Sequence, residues 1–303
     1  MVKRRATGSK ARRDRARRIV AAADALLLEL VKEHVLGDPK ARDVEARRVL
    51  GPYLTPGERP ARLAGAGGVY HRLASTAQDW GMAATVVGRS IGGVANLEPV
   101  LFGFDPARVR DAYPSADDWE ALLDRIVAGL APAGKVRREA RSVWPRYCRS
   151  LISGAHLLAR FGTARRFRAW VDSLERGPAG RAELPLLLTR EIDGFGFALA
   201  CLFLMELGYA GFLKPDVWVI RFCERLGIVE GADPAAVFTA CVEVAELAGV
   251  TPFALDRMIW LVGTGNFWLH GVKAGGQLER FVALVDPPPR ETAPRPSRVP
   301  GRQ

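Results

Sequence analysis

Residues Ile192-Asp193-Gly194-Phe195-Gly196-Phe197-Ala198-Leu199-Ala200 set two glycines around one phenylalanine, between an apolar-rich run that ends at Ile192 and another that starts at Phe197. Few local folds accommodate that pattern: it reads as a helix, a tight turn and a second helix. Glycine supplies the backbone angles such a turn needs and lets the main chain come close to a neighbour or a ligand. Eighteen residues past Ala198, directly behind a proline, stands a lone carboxylate in Lys214-Pro215-Asp216-Val217. The pair is either a ligand-holding turn with an acid beside it, or two packed helices followed by an ordinary helix cap.

The rest of the chain also reads as helix. Ile19, Ala23, Leu26, Leu27, Leu30 and Val31 share one face of a segment over 14–36. Further helices are predicted over 41–50, closed by Gly51-Pro52, over 68–80, over 82–91, and as a long helix over 137–161 bent at Pro145. Pro178-Ala179-Gly180 reads as a turn before a helix over 183–192, and the second hairpin helix covers 197–207. Asp105-Pro106, Ser115-Ala116-Asp117-Asp118, Asp233-Pro234 and Thr251-Pro252 are start signals, each a capping side chain ahead of the first turn. A last helix spans 277–285, and no segment alternates apolar and polar residues as a half-buried strand would. The fold class expected is all-α.

Charge is unevenly placed. Residues 1–18 carry a net +8 and residues 286–303 a net +2, which leaves +1 of the total +11 for residues 19–285. The predicted organisation is therefore a disordered basic tail over 1–13, a helical body over 14–285 and a disordered Pro/Arg tail over 286–303. Tails of this kind favour polyanions without choosing a sequence. The apolar run at 19–23 is not a signal peptide, because Asp24, Glu29, Lys32 and Glu33 interrupt it. No uncharged apolar run reaches the roughly eighteen residues of a membrane span. Cys148, Cys201, Cys223 and Cys241 form no CxxC pair; they read as buried small hydrophobes in a reducing compartment, with neither disulfide nor zinc.

The motif apolar-x-Gly-apolar-Gly-x-x-x-Ala, at Ile192, Gly194, Phe195, Gly196 and Ala200, resembles the helix-hairpin-helix element. A Gly-x-Gly turn feeding a helix presents backbone N–H groups suited to a phosphate. The continuation through Gly208, Lys214-Pro215-Asp216-Val217-Trp218, Arg221 and Leu226-Gly227 is similar to the helix-hairpin-helix/Gly-Pro-Asp superfamily of DNA base-excision glycosylases. The similarity runs from about Leu184 to Gly265 and takes in Asp256–Trp260 and Gly263. It implies a two-lobed helical fold with the cleft between the lobes, the hairpin and catalytic half lying at about 137–265. It further implies hydrolysis of the N-glycosidic bond of a damaged or mismatched base turned out of duplex DNA. Asp216 would be the catalytic carboxylate, and Gly194, Phe195, Gly196, Ala198 and Lys214 would contact DNA. The chemistry suits the residue, since bond cleavage builds positive charge on the sugar and an attacking water needs a base.

Departures from the family sharpen the expectation. The position where bifunctional members carry a lysine nucleophile is Ala198, so a monofunctional enzyme without β-lyase activity is expected. Relatives carry His two residues past the acid, where this chain has Trp218. The four-Cys iron–sulfur loop of some members is absent, no cofactor or metal site is expected, and the hairpin leaves room for a monovalent cation at most. Phe197, Trp218 and Trp260 are candidate base-pocket residues, with Phe195 and Trp268 in the same class, though aromatics at such spacings more often pack a core. His156 and His270 are isolated and read as packing partners; Arg165, Arg166 and Arg168 are either phosphate contacts or a solvated face. The expected partner is double-stranded DNA bound by a monomer, in the cytoplasm at the nucleoid. The competing readings are a catalytically inactive DNA-binding helix-hairpin-helix protein, and a helical scaffold whose basic tails bind RNA or acidic partners.

Overall fold

The computed structural model describes residues 2–57, 65–79 and 86–286, with side chains from Ser9 onward and Val86 excepted. Among the described residues the chain is helical almost throughout. Its elements are α1 (Val2–Leu30), extended by a π-helical turn over Val31–Val35, α2 (Asp43–Leu54), α3 (Ala66–Ala77), α4 (Val86–Ser90), α5 (Pro106–Ala112), α6 (Trp119–Leu130), α7 (Val143–Phe161), α8 (Ala164–Glu175), α9 (Pro178–Glu191), α10 (Phe197–Glu206), α11 (Val217–Arg225), α12 (Pro234–Ala248), α13 (Pro252–Thr264) and α14 (Leu278–Val285). Among the described residues the one departure from all-α is a pair of two-residue antiparallel strands, β1 (Asn266–Phe267) and β2 (Val272–Lys273).

The caps explain why the helices start where they do. Asp105, Thr163, Asp233 and Thr251 each accept a backbone N–H from the first turn of the helix that follows, and Asp105, Asp233 and Thr251 have proline behind them. Proline also accounts for three differences from the sequence reading. Pro145 lies in the first turn of α7, where its missing N–H had no acceptor, so the helix begins at Val143 instead of bending there. Pro178 occupies the first position of α9, which makes Pro178-Ala179-Gly180 helix and not turn. Pro52 falls inside α2, which continues to Leu54 because Tyr53 buries its ring and its hydroxyl bonds His270 Nδ1 at 2.8 Å and the Leu269 N–H at 3.1 Å.

The expected tail over 1–13 is corrected as well. Helix α1 begins at Val2, and two of its basic side chains, Arg12 and Arg15, find partners in the body. Arg12 pairs with Glu243 at 2.9 Å, while Arg15 donates to the Leu226 carbonyl and pairs with Asp286 at 3.2 Å. Of the Gly- and Pro-rich stretch 51–66, which reads as a loop, residues 58–64 lie outside the described residues, as do the first part of the expected 82–91 helix and the tail over 287–303.

Helix α1 packs on α12, α13 and α14, so the first helix closes against the last ones. Around α7 gather α3, α5, α6 and α8, and α10 joins α3 on one side and α9 on the other. The buried side chains form one continuous apolar core, which includes all six residues read as the inner face of α1 and all four cysteines. Cys223 and Cys241 approach to 3.3 Å between sulfurs, and burial pushes the Cys148 and Cys201 thiols well above the usual range. Among the described residues no single helix is long and apolar enough to cross a membrane.

Candidate active site

The hairpin between α9 and α10 is fixed to α7 by two serines. Ser150 Oγ donates to the Asp193 carbonyl, and the Asp193 N–H donates to Ser153 Oγ at 2.9 Å. Both backbone polar groups of Asp193 are thereby held, and the turn that follows has a set position. Gly194 has φ +79°, a left-handed angle that favours glycine, and a Cβ there would come within 2.9 Å of Ser150 Oγ. A Gly194→Ala protein is expected to lose about 1–2 kcal/mol from the strained angle and the displaced serine, read as a shifted urea midpoint at unchanged slope. A fall within error of zero would mean that the hairpin adjusts freely.

Gly196 works differently. Its φ of −90° suits any residue, and a Cβ there would meet nothing within 4 Å. It caps α10 without a side-chain hydrogen bond, so the N–H groups of the first turn, at Phe197, Ala198 and Leu199, have no acceptor in the helix. Gly194 and Gly196 are exposed and Ala198 partly so, which leaves this helix end open to an incoming anion. Phe195 takes no part in that opening: its ring packs edge-on against Phe203 and its N–H is spent on the Ile192 carbonyl at 3.1 Å.

The loop after α10 carries the carboxylate. Asp216 caps α11, its Oδ1 accepting from Trp218 N at 2.9 Å and Val219 N at 3.4 Å, while its own N–H closes a tight turn onto the Lys214 carbonyl at 2.8 Å. Asp216 is partly exposed, and its Oδ2 has no hydrogen-bond partner among the described residues. Capping and catalysis therefore do not compete for the same atom.

Two further carboxylates gather here that the sequence reading did not single out as site residues. Asp256, buried on α13, accepts the Lys214 N–H at 2.7 Å and has Arg257 Nε at 4.0 Å from its other oxygen. Burial raises its pKa to about 6, opposed by Arg257 and by the Lys214 N–H, and reinforced by the negative charge of Asp216. A lone acid among Leu255, Met258, Ile259 and Val262 was the available signal in the sequence. Asp79, just past the end of α3, is also raised to about 6, first by burial and further by Glu206, with Lys214 acting against both. Nothing in the sequence marks Asp79. The Lys214 charge thus acts on two carboxylates from opposite sides of the chain, next to Asp216.

Against known proteins, the chain matches no family model and has no significant match among curated proteins or solved structures. Its site is read from its own residues.

The aromatic candidates divide. Phe197 is core, its ring packed edge-on against Phe238 at 5.5 Å, and is unavailable to stack on a base. Trp218 is partly exposed, lies against Gly263 so closely that a Cβ there would come within 2.7 Å of the indole, and has the Arg221 guanidinium 5.6 Å from the ring. Trp260 is partly exposed and meets Trp268 edge-on at 5.1 Å; Trp268 is 41 % exposed and has Arg257 at 5.8 Å. Arg257 therefore connects this aromatic group to the Asp256–Lys214 bond. His156 and His270 are packing partners, bonded to the Tyr113 carbonyl and the Tyr53 hydroxyl, each at 2.8 Å. Among the described residues no group of three or more His, Cys, Asp or Glu is arranged to hold a metal ion.

Proposed function

We propose that this chain is a monofunctional DNA glycosylase of the helix-hairpin-helix/Gly-Pro-Asp type, in which Asp216 drives hydrolysis of the bond between a damaged or mismatched base and its sugar. The observation that carries the proposal is the pairing of an open, pinned Gly-Phe-Gly helix end with a capping aspartate whose second oxygen is unengaged. The helix end holds a phosphate through backbone N–H groups. The free oxygen stabilises the positive charge that develops on the sugar and takes a proton from the attacking water. Lys214 offsets the negative charge of the acids around it and contacts the backbone of the bound strand.

Ala198 supplies no amine, so the product is an abasic site and not a cut strand. The helices form the two lobes of this fold with the cleft between them, and the protein acts as a monomer on double-stranded DNA at the nucleoid. Trp218 and Trp260 are the aromatics with the exposure to stack on an extruded base. The second reading, a DNA-binding protein without turnover, draws on Trp218, which fills the place two residues past the acid with a ring packed on Gly263.

A panel of duplex oligonucleotides carrying alkylated purines, oxidised purines and deaminated pyrimidines tests the proposal. At least one lesion should yield a strand break only after alkali, with no covalent adduct trapped by borohydride. Tight binding with no alkali-labile product from any lesion would favour the second reading.

A further inference from the structure

Beside the hairpin, along the N-terminal half of α7, runs an open groove of about 470 Å³. Its walls are Arg141, Arg146 and Arg149, with Asp117 and Asp193 at its sides and Gly194 of the hairpin at one end. Two arginines of this groove, Arg141 and Arg149, differ from those around it. Arg138 pairs with Asp124, Arg110 with Asp111 and Arg160 with Glu191, each in direct ion-pair contact. Among the described residues Arg141 and Arg149 have no carboxylate within 4.0 Å, although two carboxylates line the same groove. Arg149 rests its guanidinium 5.5 Å from the Trp119 ring, and its Nε is buried without a hydrogen-bond partner. The contact with Trp119 holds the guanidinium against the ring face and leaves its terminal nitrogens as the groups able to donate.

Guanidinium groups held apart from carboxylates, in a polar groove that ends at an uncapped helix terminus, suit an anion that extends from one to the other. A free phosphate fills one position. A nucleic-acid strand places a charge at each, because its phosphates recur at short, regular spacing. The geometry points to this groove as the seat of the phosphodiester next to the one held at Gly194–Gly196, with Arg141 and Arg149 as the second anchor of the same DNA strand. The inference rests on the DNA reading above and adds residues that the hairpin motif does not contain.

The test is fluorescence anisotropy on an undamaged duplex over a range of salt concentrations, with wild type, Arg141→Glu, the double variant Arg141→Ala/Arg149→Ala, and as controls Arg225→Ala and the double variant Arg225→Ala/Arg280→Ala, which removes two arginine charges as the double groove variant does, at side chains paired with Glu279 and Glu29 outside the groove lining. Arg141→Glu is included because Arg141 is exposed and packs against no ring, so its replacement leaves the fold intact. Both groove variants should bind at least about tenfold more weakly at 0.1 M salt, the double variant with a log–log salt slope reduced by about 1–2. Both controls should stay within about twofold of wild type. Groove variants that bind within twofold of wild type with an unchanged slope would overturn the inference. Wild type that does not bind duplex DNA at all would instead overturn the DNA reading itself, so the two failures are separable.

Discussion

Asp216→Asn should leave a folded protein that binds lesion duplex and no longer excises the base, with the single-turnover rate lower by about three orders of magnitude. The variant separates the two roles of the side chain by atom. Asparagine keeps a carbonyl oxygen in place of Oδ1, so the bonds from Trp218 N and Val219 N persist and α11 remains capped. Aspartate and asparagine are nearly equivalent as caps, and stability should move by less than about 0.5 kcal/mol. The amide loses the negative charge and the proton acceptor at the free oxygen. Removing one preorganised electrostatic contact of this kind typically costs 10²–10³ in rate, and losing a general base costs a comparable factor. The rate should be measured with enzyme in excess over the lesion oligonucleotide found in the panel, beside a thermal melt of each protein. Equal rates for the two proteins would reduce Asp216 to a cap. A large fall in melting temperature would show that the charge, and not the carbonyl, holds the helix end.

The sequence made the helix starts legible because a cap is a local event: a side chain two or three residues ahead of an N–H needs no tertiary context. Asp105, Thr163, Asp233, Thr251 and Asp216 all act as read or as their type allows. The inner face of α1 was equally legible from its period. Proline misled where its position within a turn mattered more than its presence, at Pro145 and Pro178, and where distant packing outweighed it, at Pro52 beside Tyr53 and His270. The start of α1 was hidden because Arg12 and Arg15 are held by Glu243, Leu226 and Asp286, more than two hundred residues away. The same holds for the site. The hairpin and Asp216 lie close enough in sequence to be read together, whereas Asp79, Asp256 and the groove arginines of α7 join them only through folding. Phe195 and Phe197 show the converse, since both were candidates for a base pocket and the packing of α10 buries both.

Asp256→Asn should make the protein more stable at neutral pH and flatten its stability profile between about pH 4 and pH 6. The Asp256 carboxyl has its pKa raised from 3.8 to about 6 by burial. In that interval the folded protein holds a proton that the unfolded chain has released, so stability falls as pH rises. Above about 6 the folded carboxyl is ionised too, and the cost stays constant. At 1.36 kcal/mol per unit, the shift corresponds to about 3 kcal/mol lost at pH 7 relative to a group that stays neutral. Asparagine stays neutral, and its carbonyl can still accept the Lys214 N–H that Asp256 takes at 2.7 Å. The expected gain at pH 7 is about 1–3 kcal/mol, reduced by whatever the amide N–H₂ loses beside Arg257 at 4.0 Å. Asp79, raised in the same direction, continues to titrate in the variant, so the slope should shrink without vanishing. Asp256→Ala leaves the Lys214 N–H unpaired and opens a cavity, and should be about 2–3 kcal/mol less stable than Asp256→Asn, with much of the turnover lost, because the turn that places Asp216 is no longer held. Urea unfolding at half-unit pH steps, with activity measured on both variants, reads all of these effects. An Asn variant less stable at pH 7 than wild type would mean that Arg257 and Lys214 fully compensate the buried charge. Holding a costly buried carboxylate behind the Lys214–Asp216 turn then makes physical sense as the anchor of that turn: the fold gives up stability there to keep the backbone that carries the acid in one place.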